Sequence, residues 1–234
     1  MQRFFRHLGN FIFDILLFIG IAYALSPTYN KFVGPKQNTP QTTQENVSQP
    51  KSNPKSTPSA QPSANQQPPV PLEKFHWNDP QNLTVALDTD DPDARHAFEN
   101  AISAWNATGA VHMKLIKNIS KAQIICDTRD LSHDNGNPNQ QELGLTETDY
   151  MHNDNNKNEP GQAQNAISHI DANALRNNNM PPYYWVRVAE HELGHALGLA
   201  HAAPGTDSVM VPSNPDHDIT KLDIESLRIM YNEH

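Results

Sequence analysis

The sequence predicts an α+β domain over residues 73–234, preceded by two segments that have no core of their own. Three observations carry this. Short alternating or apolar runs read as five strands. Helical periodicity recurs at three separate places. Over residues 34–72 the composition is too polar and too rich in proline to bury a core.

The elements follow in order. Leu83-Thr84-Val85-Ala86-Leu87 alternates as a strand does. Asp91-Pro92-Asp93 then supplies a cap, an early proline and acidic residues for the first turn of a helix. Along that helix Ala94, Phe98, Ile102 and Trp105 fall on one face as core residues, and Gly109 ends it. Val111 to Ile116 and Ala122 to Cys126 read as two further strands, Gly144-Leu145-Thr146 as a fourth and Ala166 to Ile170 as a fifth. Asn/Asp-rich sequence from His152 to Gln164 reads as a mobile loop. Its oxygen ligands leave calcium open, without a regularly spaced set of acids to support it. A helix is expected from Pro182 to Leu197 and a last one from Lys221 to Tyr231.

The helix from Pro182 carries the chemistry. His191-Glu192-Leu193-Gly194-His195-Ala196-Leu197-Gly198-Leu199-Ala200-His201 has the form H-E-x-x-H-x-x-G-x-x-H. Residues four apart share a helix face, so His191 and His195 can present ring nitrogens to one ion. Gly198 permits the positive φ through which the chain leaves the helix, returning His201 as a third ligand. Three protein ligands leave the fourth tetrahedral position for water, the arrangement of a catalytic zinc. Glu192 is placed to take a proton from a zinc-activated water.

This pattern resembles that of the metzincin zinc endopeptidases. Downstream, Asp207-Ser208-Val209-Met210-Val211-Pro212 fits the methionine turn that metzincins place under the zinc. The S-V-M-x-P form, with the closing run from Thr220 to Tyr231, is similar to the matrixin branch. Astacin-like and serralysin-like enzymes carry tyrosine two residues after the turn methionine, where this chain has Pro212; snapalysin-like enzymes use aspartate where it has His201. The resemblance covers about Trp77 to Tyr231. It implies a twisted, mostly parallel five-stranded sheet, a zinc-binding helix, the methionine turn and a carboxy-terminal helix. It also implies a peptide substrate lying extended along an edge strand near Gly144 to Thr146, and a specificity pocket beside Met210 walled by Val211 to Ile219.

The chain departs from animal matrixins in two ways. A cysteine-bearing propeptide ahead of the domain is not expected, because the single cysteine, Cys126, reads as part of a buried strand. The structural zinc of that branch is not expected either. His169 matches one of its ligands by context, but Val186 stands where the helix would supply another, and His169 reads as a strand-surface residue.

Charge divides along the chain: residues 1–72 carry a net +4 and residues 73–234 a net −13, within a total of −9. An acidic domain disfavours nucleic acid and anionic lipid surfaces. Arg3, Arg6 and His7 precede an apolar run from Phe11 to Leu25, the pattern of an export signal over residues 1–33. Ala22-Tyr23-Ala24 offers a cleavage site, whereas Asp14 and the tether that follows favour an uncleaved anchor, the reading adopted. Residues 34–72 hold nine of nineteen prolines and form a linker able to span about 120 Å at roughly 3.1 Å per residue. The expectation is therefore a monomeric zinc endopeptidase acting on proteins or peptides, with membrane contact only through its first segment, displayed on the outer face of the membrane or secreted. The alternative is a surface-displayed binding module that keeps the zinc fold without turnover; retention of Glu192 argues against it.

Overall fold

The computed structural model of the chain describes residues 12–15, 18–19, 68–132, 140–152, 159–212 and 217–232. Its centre is a twisted sheet in which β4 (Leu83–Asp88), β5 (Met113–Leu115), β6 (Ile124–Thr128) and β9 (Gly161–Ile170) run parallel, in the order β5-β4-β6-β9. β8 (Gly144–Met151) joins antiparallel to β9 on the other side. These are the five expected strands. Two short ones are added: β3 (Phe75–His76) pairs parallel with the start of β9, and β1 (Ile12–Ile15) pairs antiparallel with β8. β2 (Phe18–Ile19) and β7 (Gln140–Gln141) form a separate two-stranded pair.

Two of these features correct the sequence reading. β8 is not the outermost strand, because β1 covers it from Leu145 to Thr148; an edge strand offers unpaired N–H and C=O groups that an extended segment can satisfy. The loop read from His152 to Gln164 ends sooner, since Gly161 to Gln164 already belong to β9, and residues 153–158 lie outside the described set. Of the expected anchor, residues 12–15 and 18–19 are strands and the remainder lies outside the described residues; among those described, no helix is long and apolar enough to cross a membrane.

Helix α1 (Pro92–Ala107) starts where the sequence places it. The Asp91 side chain accepts from the N–H groups of Asp93 and Ala94, both at 3.1 Å, and Gly109 leaves the helix at φ 69°. Its buried face (Ala94, Phe98, Ile102, Trp105) packs on α3 (Pro182–Ala196). The Trp105 indole N–H donates to the carbonyl of Glu190 at 3.0 Å. A short helix α2 (Ala172–Asn177), absent from the sequence reading, is capped by the buried Asp171, whose carboxylate accepts from Ala174 N at 2.8 Å and from Leu131 N at 3.0 Å. Helix α4 (Lys221–Asn232) closes the domain, and its Tyr231 hydroxyl donates to Leu197 O at 2.7 Å.

The folded part begins before residue 73. Val70 is fully buried and its N–H donates to Ser226 Oγ at 2.8 Å; Ala200 N donates to Pro71 O at 2.9 Å, and Leu72 bridges Leu199. Residues 70–72, assigned above to the linker, thus brace the turn that follows α3. Cys126 is buried in β6, and its desolvation raises the thiol pKa, so it is a packing residue.

Candidate metal centre and active site

Helix α3 ends where the zinc motif needs it to. Pro181 and Pro182 open it, the proline at the first turn costing no hydrogen bond, and Trp77 Nε1 pins its last carbonyls by donating to Ala196 O at 2.7 Å. Gly198 then takes φ 102°. A Cβ there would also meet Met230 Cε at 2.8 Å, a flexible side-chain end that can yield, so it is the backbone that requires glycine. The reversal brings His201 back over the helix end.

His191, His195 and His201 converge, with one ligand atom from each lying within 4.8 Å of the others. The ring contacts are 4.6 Å for His191–His195, 5.2 Å for His191–His201 and 4.7 Å for His195–His201. Tautomers follow from the partners. His191 Nδ1 faces the carbonyl of Val209 at 2.7 Å and His195 Nδ1 faces that of Leu199 at 2.8 Å. A carbonyl only accepts, so each Nδ1 donates and each Nε2 carries a lone pair. Those two Nε2 atoms stand 2.9 Å apart. Two lone pairs that close, buried and pointing together, repel unless a cation stands between them, and backbone-oriented imidazoles are how metal-binding histidines are held. The donor set fits zinc.

The floor of this centre is Met210. It is fully buried, and a Cβ on Gly194 would lie 2.4 Å from its sulfur, so the turn packs directly under the helix between the two ligands. Asp223 on α4 fixes the turn. Its carboxylate accepts a very short hydrogen bond from the Ser208 hydroxyl, and accepts from Val209 N at 3.2 Å and Thr220 N at 2.8 Å. Ser208 opens the S-V-M-x-P form and Asp223 lies in the closing run from Thr220 to Tyr231, but the sequence reading gives neither a role. The T-x-x-D spacing from Thr220, a helix-capping signature, was the available signal.

Glu192 is fully buried, next to the ligand His191 in the chain and against β8. The Thr146 hydroxyl lies 2.8 Å from its Oε2 and 2.9 Å from its main-chain O. On the other flank, Arg187 donates to the buried Glu190 at 2.7 Å and pairs with Asp218, tying α3 to the segment after the methionine turn. Burial raises the Glu190 pKa, and the Arg187 guanidinium opposes that rise. This ion pair stands at the wall expected for the specificity pocket; residues 213–216 of that wall lie outside the described set.

His169 is not the surface residue expected. It is only 5% exposed on β9, with Nδ1 in a very short contact with Asp127 and Nε2 3.3 Å from Glu147. Strands β6 and β8 bring those carboxylates to either side of it, which no local sequence pattern announces.

A parallel sheet with one antiparallel strand, a histidine-bearing helix beside it and a buried methionine turn define a metzincin-type metal centre. The matrixin family model matches residues 76–232, so this chain belongs to the matrixin family, whose members use a catalytic zinc. Over 76 residues the chain is 33% identical to the interstitial collagenase of Bos taurus, covering 31% of this chain and 16% of that protein. It therefore spans about a sixth of that relative's length. A solved structure of myroilysin matches with 16% identity and a TM-score of 0.32, covering 54% of this chain and 52% of the other.

Proposed function

We propose that the chain is a zinc-dependent endopeptidase in which His191, His195 and His201 hold the ion and Glu192 is the general base. The observation that carries this is the convergence of three buried or half-buried imidazoles, two of them oriented by backbone carbonyls, beside a fully buried Glu192. Zinc at this position supplies Lewis acidity, polarising the scissile carbonyl and lowering the pKa of water toward about 7. Glu192 accepts the proton of the attacking water on a carboxylate oxygen and delivers it to the leaving amine. The substrate is an extended peptide that pairs with the outer edge of β8, the edge against which Ile12–Ile15 lies.

The same proposal includes export. Arg3, Arg6 and His7 ahead of the apolar run from Phe11 to Leu25 support insertion with the domain outside, and the proline-rich stretch that follows supports its display at a distance from the surface.

Two variants test the chemistry. Glu192→Ala should keep about one equivalent of zinc and lose a factor of 10^2–10^4 in peptide hydrolysis. His195→Ala should lose metal and activity together. Wild-type hydrolysis by Glu192→Ala would overturn the assignment of the base. An absence of cleavage by the zinc-loaded wild type across a broad peptide library would favour the binding-module reading.

A further inference from the structure

We propose that Gly144 and Thr146 of β8 form a cradle that holds the Glu192 carboxylate, and that Thr146 is a positioning residue for this base. The inference rests on the reading of Glu192 given above and adds residues that the zinc motif does not contain.

Residues two apart on a strand face the same way, so Gly144 and Thr146 both face α3. Thr146 is 3% exposed and Glu192 wholly buried. A threonine hydroxyl has one proton, and of the three oxygens in its reach the two nearest belong to a single residue: Oε2 of Glu192 at 2.8 Å and its main-chain O at 2.9 Å, against Ser168 Oγ at 3.1 Å. Shared between them, that proton fixes the carboxylate relative to its own helix backbone. The Ser168 hydroxyl, 3.1 Å from Thr146 Oγ1, supports Thr146 from the neighbouring strand, and the two residues are partners in the β8–β9 register. Gly144 acts by room. A Cβ at this position would stand 2.4 Å from Glu192 Oε1 and 2.7 Å from both Cδ and Cγ. Any larger residue pushes the carboxylate out of place. A glutamate side chain left loose on a helix has several rotatable bonds, and a displacement of about 1 Å in a catalytic group can cost on the order of 10^2-fold in rate.

The experiment compares zinc-loaded full-length Thr146→Val, Thr146→Ser, Gly144→Ala, Glu192→Ala and the double variant Thr146→Val/Glu192→Ala. In Thr146→Val, kcat should fall roughly 10- to 100-fold with KM within about twofold and zinc content unchanged. Thr146→Ser, which keeps the hydroxyl, should recover most of the rate, and Gly144→Ala should lose kcat in the same way. If Thr146 acts through Glu192, the double variant is no slower than Glu192→Ala alone. Wild-type kcat in Thr146→Val, no rescue by serine, or loss of zinc in step with rate would each overturn the proposal. Full activity in Glu192→Ala would instead overturn the underlying reading of the base, so the two failures are separable.

Discussion

Asp223 and His191 are joined through a single residue: the Val209 N–H donates to Asp223 Oδ2 at 3.2 Å, and the Val209 carbonyl accepts from His191 Nδ1 at 2.7 Å. The carboxylate on the last helix thereby orients a metal ligand on the catalytic helix. Partners behind a ligand typically change metal affinity or activity 10- to 100-fold when altered. Asp223→Asn should weaken zinc binding by about that factor while leaving the three histidines in place. Competition with a chromophoric chelator measures it; unchanged affinity would show that the methionine turn holds His191 without Asp223.

Zinc stoichiometry bears on His169. Both its ring nitrogens face carboxylates, Asp127 on one side and Glu147 on the other. Purified protein should carry about one equivalent of zinc, removed by chelators with loss of hydrolysis, and zinc addition should raise Tm through preferential binding to the folded chain. His169→Ala should leave the stoichiometry unchanged. A second equivalent, lost in that variant, would identify His169 as a ligand after all.

How much was legible in the sequence depended on the range of the interaction. The ligands, the base and the Gly198 reversal lie within eleven consecutive residues and obey helical spacing, so they could be read directly. Strand and helix positions followed from alternation and from the Asp91-Pro92 cap. The surroundings of the ligands were not legible, because they come from distant strands and turns: Thr146 lies 46 residues from Glu192, and Asp127 lies 42 from His169. Val70 and Pro71 were hidden for a different reason. Their proline-rich context reads as linker, and only the partners Ser226 and Ala200 show that they are part of the fold. Helix α2 is six residues long, too short for a periodic signal, and rests on the Asp171 cap and its packing.

A stability prediction comes from Asp91. It caps α1 and also receives Arg176 Nη2 at 2.6 Å, while Arg176 lies over Trp185, 5.1 Å from the ring centroid. Burial alone would raise its pKa, but the Arg176 hydrogen bond and the cap N–H groups outweigh this and the value is lowered. A depressed carboxylate contributes stability that is present above its unfolded pKa and lost as pH falls through the folded value, so this contribution disappears only in acid. Asp91→Ala should cost about 1 kcal/mol for the cap at neutral pH, seen as a lower Tm with zinc content unchanged, and the difference from wild type should shrink at low pH. A pH-independent difference would remove the ionised carboxylate from the account.

The last prediction concerns the first segment of the chain. Ile12–Ile15 pairs with β8 along Leu145 to Thr148, the same edge that an extended substrate would use. The same residues lie in the apolar run proposed to enter a membrane, and they cannot occupy both places at once. Membrane insertion would leave β8 open, whereas pairing would set the segment in competition with substrate. An intramolecular competitor held on the same chain acts at an effective concentration near the millimolar range. The full chain without membrane or detergent should therefore show KM raised by about tenfold with kcat unchanged, relative to a variant lacking residues 1–67. Detergent micelles that take up the apolar run should bring the full chain back to the KM of the truncated one. In cells, an uncleaved anchor predicts protein in the membrane fraction whose amino terminus still begins at Met1 or Gln2. Equal KM values in all three preparations would show that Ile12–Ile15 does not compete for β8, and protein in the medium beginning near Leu25 would identify a cleaved signal instead of an anchor.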